Sequence, residues 1–195
     1  MPFLARYDKT QGADIMQFTK AVASDFDAIK QLYWNLIDKS SGEPSFPGWK
    51  KGEHPSDEMI ATSIDQGQMF LLKENDGKEN ASIVACAVCN FDAIEEYKSV
   101  PWQITDRDTD KIWILHALAV DYDHRGQGVG SVFIQELLKY ARENGIQAIH
   151  FDVIGHNKAA EQFYLKAGFH YVCSQKMYYE VVGEREFMMF ELELI

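Results

Sequence analysis

Leu118-Ala119-Val120-Asp121-Tyr122-Asp123-His124-Arg125-Gly126-Gln127-Gly128-Val129-Gly130 is the stretch on which the reading of this chain turns. It joins an apolar run, Lys111 to Val120, to a segment with helical periodicity at Val129, Val132, Phe133, Leu137, Tyr140 and Ala141. The pattern is a strand, a glycine-rich turn and a helix. Glycines at 126, 128 and 130 let the backbone turn tightly and approach an anion with no side chain in the way. The amides of Gln127, Gly128, Val129, Gly130 and Ser131 are the donors such a turn presents, and the helix dipole adds positive potential there. The spacing predicts a phosphate-binding nest with Arg125 as a charged contact. A tight strand-to-helix turn with no ligand is the alternative. No Gly-Lys-Ser/Thr follows, which excludes a nucleoside-triphosphate loop, and the context fits a dinucleotide fingerprint poorly.

Outward from this stretch, Met16 to Val22 reads as a strand. Ser24 reads as an N-cap with Asp27 three residues on, opening a helix with Phe26, Ile29, Leu32, Tyr33, Leu36 and Ile37 on one face. Residues 40–55 form a loop rich in Gly, Pro and Ser that carries Phe46 and Trp49. Ser56 caps a second helix that ends at Gly67. Gln68 to Lys73 and Ser82 to Phe91 flank the turn signal Asn75-Asp76-Gly77 and read as a hairpin. Residues 92–109 look like a charged insertion. Past the helix from Val129, Ala148 to Val153 is a strand, and Asn157 caps a helix that ends at Gly168. Tyr171 to Val182 and Arg185 to Leu194 close the chain as strands. The predicted fold is mixed α/β (α+β), a mixed central sheet of about six or seven strands flanked by about four helices. Residues 1–15 are expected to be an N-terminal arm and 16–195 a single domain.

The 195-residue chain is long enough for one domain with a sizeable core. No apolar run approaches the ~20 residues that span a bilayer, and Met1 to Arg6 carries no secretion signal. Three cysteines are too few for a disulfide framework, so the expected setting is reducing and cytoplasmic. A net charge of −11 argues against nucleic acid or anionic membrane as partners and suits a cationic substrate. Solubility alone is the plainer account of that charge.

The stretch from Leu118 to Gly130 resembles the central motif of the GNAT superfamily of acetyltransferases, Arg/Gln-x-x-Gly-x-Gly/Ala after a Leu-Ala-Val-like strand end. A second element, Asn157-Lys158-Ala159-Ala160-Glu161-Gln162-Phe163-Tyr164-Leu165-Lys166-Ala167-Gly168-Phe169, resembles the family's Asn-x-x-Ala-x-x-x-Tyr-x-x-x-Gly-Phe. The element order of residues 16–194 agrees with the family fold. The resemblance implies an acetyl-CoA-dependent N-acetyltransferase acting on a primary amine, either a small molecule or a peptide amine, with no metal. The family often dimerises, so a homodimer is one arrangement it implies. A non-catalytic acetyl-CoA sensor with the same fold is the alternative.

Amine acetylation needs a deprotonated amine, a stabilised oxyanion and a proton for the leaving thiolate. The resemblance places Tyr164 beside the CoA sulfur as general acid, and periodicity alone reads it as a core tyrosine. It implies a splayed or bulged strand end whose main chain, at Leu118, Ala119 and Val120, meets the acetyl and pantetheine groups. Asn157 caps its helix and is a candidate to reach the pantetheine arm. His116 is expected to share a face with Leu118 and Val120. Its strand looks like that of the arylalkylamine branch, where a histidine takes part in proton removal, but that branch's second histidine falls here at Ile114. A buried, hydrogen-bonded histidine is the alternative. Cys86 and Cys89 point to opposite faces of a strand and read as core. His124, His150, His156 and His170 have no metal-ligand spacing. By resemblance, the region of Tyr33, Trp34, Phe46 and Trp49 lines the acceptor pocket, with core packing as the alternative for the first two.

Overall fold

The computed structural model describes residues 3–6, 15–44, 46–75, 81–105 and 111–194. One sheet of eight strands runs through it: β1 (Phe3–Arg6), β2 (Ile15–Lys20), β3 (Met69–Asn75), β4 (Ser82–Asn90), β5 (Ile112–Val120), β6 (Ala148–Ile154), β7 (His170–Tyr179) and β8 (Gly183–Glu193). Their spatial order is β1-β2-β3-β4-β5-β6-β8-β7. All neighbours are antiparallel except β5 and β6, which are parallel. A parallel pair needs a crossover, and the helix α3 (Val129–Glu143) supplies it. The other helices are α1 (Phe26–Ser40), α2 (Asp57–Asp65) and α4 (Lys158–Lys166).

Both faces of the sheet are covered. On one face α3 and α4 pack over Phe70, Ala85, Leu115, Ile149, Phe151 and Phe190. On the other, α1 and α2 cover Met69, Leu71, Cys86 and Val88. That double cover explains why β4 reads as an unbroken apolar run rather than an alternating one. Cys86 and Cys89 lie in clusters on opposite faces and are both buried.

Three local readings differ from expectation. Residues Ala23–Asp25 form a 3-10 turn and α1 begins at Phe26, so Ser24 is not its cap. Asp25 holds the N-cap position of α1 without a side-chain cap bond, and its carboxylate closes the 3-10 turn instead, accepting from the Val22 N–H at 3.0 Å. Within the expected arm, Phe3–Arg6 pairs with β2 as an added edge strand. Residues 1–2 and 7–14 lie outside the described residues, as do 76 and 77 of the expected hairpin turn and 106–109 of the expected insertion. The rest of that insertion is anchored over β6 and β8. Trp102 stacks on His150 at 3.9 Å. The Gln103 and Ile104 amides donate to the fully buried Glu191, at 3.0 and 2.9 Å. Among the described residues no helix is long and apolar enough to cross a membrane.

Candidate functional site

The site begins as a defect in the sheet. β5 pairs with β6 only at Ile112, Trp113 and Ile114, yet β5 continues to Val120 and β6 to Ile154. Past Ile114 the two strands part, and their facing edges lose their ladder. The Asp121 N–H donates to Val84 O on the β4 side at 2.8 Å. Because N–H direction alternates along a regular strand, the Val120 amide faces the opening.

A β-bulge sits at the same place. Ala119 pairs with Cys86 but His116 pairs with Val88, so Ala117 and Leu118 together oppose one residue of β4. Ala117 takes a left-handed φ of 50°, and the buried Tyr33 hydroxyl donates to its carbonyl at 2.8 Å. The extra residue inverts the alternation. Leu118 and Val120 pack with the α3–α4 cluster, whereas His116, opposite Val88, is turned to the α1–α2 face. The expectation that His116 shares a face with Leu118 and Val120 is therefore wrong, because simple alternation does not survive a bulge.

The parted strands open a cavity of about 830 Å³ that passes through the sheet. Val129, Phe151, Phe163 and Tyr164 line it from the α3–α4 side; Trp49, His54, His116, Asp152 and Phe187 line it from the other. Of the expected site residues, Leu118, Ala119, Val120, Arg125, Gly126, Gly128, Val129, Gly130, Ser131, Asn157, Tyr164 and His116 all lie on its wall. Gln127 does not; its amide group donates to Asp123 O at 2.7 Å. Phe46 and Trp49 line the cavity, whereas Tyr33 supports the bulge and Trp34 takes Lys30 and Lys51 over its ring.

The glycine loop has the conformation its sequence calls for. Gly126 and Gly128 have φ of 73° and 85°, which side chains resist. Gly130 is set by space rather than by φ: a Cβ there would meet the Phe163 ring at 3.3 Å, a tight fit. The first α3 bond runs from Val132 N–H to Gly128 O, so the amides of Val129, Gly130 and Ser131 open the helix with no intrahelical acceptor. Arg125 is already engaged. It donates to Glu43 at 3.0 Å and lies over the Tyr122 ring, whose hydroxyl also donates to Glu43.

Tyr164 is buried among Phe151, Phe163 and Phe169, and burial raises its pKa. Its phenol therefore keeps its proton at neutral pH. Burial and the neighbouring His54 hold His116 down at about 4, against a smaller opposing effect of Asp92, so its imidazole is neutral. Asn157 does cap α4, accepting from the Ala160 N–H at 3.0 Å.

Four polar wall residues, Glu53, His54, Asp152 and Glu180, were not anticipated from sequence. Asp152 on β6 is a half-buried carboxylate that accepts from the Tyr97 and Tyr179 hydroxyls at 2.7 and 2.8 Å; its desolvation raises its pKa. Its signal was a lone acid inside the apolar run Ala148 to Val153. His54 and Glu53 come from the loop before α2, where nothing marked them. The cavity wall carries three carboxylates, Glu53, Asp152 and Glu180, none of them on the glycine loop, whereas Arg125 and His124 stand beside that loop.

The family model described as "Acetyltransferase (GNAT) family" matches residues 30–169. An uncharacterized N-acetyltransferase of Methanocaldococcus jannaschii is 30% identical over 100 residues, 51% of this chain and 38% of its own length. N-alpha-acetyltransferase RimI of Mycobacterium tuberculosis is 33% identical over 75 residues, 38% of this chain and 46% of its own length. The match thus spans less than half the length of either relative. A Salmonella typhimurium structure described as a putative acetyltransferase with its cofactor acetyl-CoA superposes with a TM-score of 0.63 at 15% identity, covering 92% of this chain and 94% of that one.

Proposed function

This chain belongs to the GNAT family of acetyltransferases, and from that premise we propose that it transfers an acetyl group from acetyl-CoA to a cationic primary amine. The observation that carries the reading is the slot between β5 and β6, whose wall holds both the glycine loop and a set of carboxylates. The nest amides and Arg125 receive the diphosphate. The Val120 amide, which faces the opening, and the main chain of the bulge at Leu118 bind the pantetheine and the developing oxyanion. Glu53, Asp152 and Glu180 draw the acceptor's ammonium group into the cavity.

In the reaction, His116 takes a proton from the ammonium, and the freed nitrogen attacks the thioester carbon. A C–N bond forms and the C–S bond breaks. Tyr164 protonates the departing thiolate, and the second amine proton restores the phenol. The imidazolium releases its proton to solvent, so amine cation and thioester yield amide, thiol and one proton. The two groups act from opposite sides of the sheet, which keeps the base on the acceptor side and the acid on the cofactor side. Asp152 is the other group on the acceptor side able to hold that proton.

The test is thiol release with acetyl-CoA and a panel of primary amines, spanning small amines, polyamines and peptide N-termini. Turnover is expected with cationic amines. Tyr164→Phe is expected to lower kcat by about 10²-fold or more with CoA affinity kept, and His116→Gln to lower kcat likewise. Tight acetyl-CoA binding with no turnover on any amine would identify a sensor instead. Full activity in His116→Gln would remove that residue as base and leave Asp152.

A further inference from the structure

His116 is held by one hydrogen bond, and that bond decides which ring nitrogen is basic. Its Nε2 lies 2.9 Å from Asn90 Oδ1. An asparagine amide offers an oxygen or an NH₂ group, so the chemistry rests on which of them faces the ring. A second contact fixes the choice: the same Asn90 atom accepts the Asp92 backbone N–H at 3.1 Å. A backbone N–H needs an acceptor, and the NH₂ group has none to give. The oxygen therefore faces both donors.

The fold builds this arrangement from two local features. Asn90 ends β4 and its side chain closes a turn onto the amide two residues on, a habit of Asn at strand ends. Asn90 pairs with Ile114, and His116 is the diagonal neighbour two residues along on the same face. Asn90 and His116 lie in one unbroken register of β4 with β5, and the bulge at Ala117 comes after it, so it moves Leu118 and Val120 to the other face and leaves this pair together.

We propose that Asn90 is a positioning residue that fixes His116 as the Nε2–H tautomer and so makes Nδ1 the atom that takes the acceptor's proton. The proposal rests on the reading of His116 as base. Proton uptake at Nδ1 leaves the Nε2–H bond to Asn90 intact, so the ring gains charge without breaking its anchor. Leucine at 90 keeps the shape and loses the acceptor. Aspartate keeps the acceptor and adds a charge that favours the imidazolium. The groups acting on the ring are His54 from the loop before α2, which opposes its charge, and Asp92 beyond β4, which favours it.

The experiment is long-range ¹H–¹⁵N NMR of the full chain, which reads the tautomer of His116 with no substrate present. It is paired with the pH profile of kcat/KM on an amine from the panel. The wild type is expected to show Nε2–H. Asn90→Leu is expected to show a mixed or reversed tautomer and to lose about tenfold or more in kcat, with KM for acetyl-CoA unchanged. Asn90→Asp is expected to restore the tautomer and to move the acidic limb of the profile up by about one pH unit. An Nδ1–H wild type, or a tautomer indifferent to Asn90→Leu, would overturn the proposal. The His116→Gln result judges the base reading by itself, so the two ideas fail separately.

Discussion

At the scale of single residues, Arg125 shows how a sequence motif and its resting contact differ. The motif offers a cation to a diphosphate, but in the fold that cation already faces Glu43, on the loop after α1. An incoming diphosphate must share or displace that carboxylate. The pair is partly exposed, with side chains 40% and 34% accessible, so its strength is modest. Glu43→Gln is expected to tighten coenzyme A binding by at most about fivefold at low salt, as measured by calorimetry. Weaker binding in that variant would mean that Glu43 holds Arg125 in its working position rather than competing for it.

Among the elements, the turn between β5 and α3 is tied back to β3 through His124. Its Nδ1 lies 2.7 Å from Asp121 and its Nε2 3.2 Å from Glu74. Burial works against a charge on this ring, but the Asp121 hydrogen bond and the Glu74 and Asp121 charges outweigh it and raise the pKa. A pKa raised by folding gives stability that is complete below the unfolded value of about 6.5 and is lost as pH rises through the folded value. Denaturant unfolding between about pH 6 and 8 should thus show falling stability in the wild type and a flatter profile in His124→Gln. The partly exposed, partly screened setting limits the difference to about 1 kcal/mol. Parallel profiles would mean that the ring is neutral and the contacts are ordinary hydrogen bonds.

Over the whole molecule, the charge of −11 and the carboxylates of the cavity wall act in the same direction on a cationic acceptor. Long-range attraction of this kind is screened by salt. Raising ionic strength from about 20 mM to 500 mM should lower kcat/KM for a cationic amine severalfold while leaving kcat nearly unchanged. A kcat/KM that is level or rising across that range would assign the acidic surface to solubility alone.

Sequence by itself determined the helices, most strands and the glycine turn between β5 and α3, because these depend on spacing between neighbours along the chain. Glycines at 126 and 128 are legible since only glycine readily takes those φ values, and Asn157 was legible as a cap for a similarly local reason. Only the tertiary structure decided what stands around the slot. His54, Asp152 and Asn90 come from three separate elements, and no period along the chain relates them. The face taken by His116 relative to Leu118 and Val120 belongs to the same class. One extra residue at Ala117 reverses it, and that bulge is set by how β5 meets β4 and by the Tyr33 hydroxyl beneath it. Register between strands is a property of the packed sheet, so alternation read from the chain alone gave the histidine the wrong side.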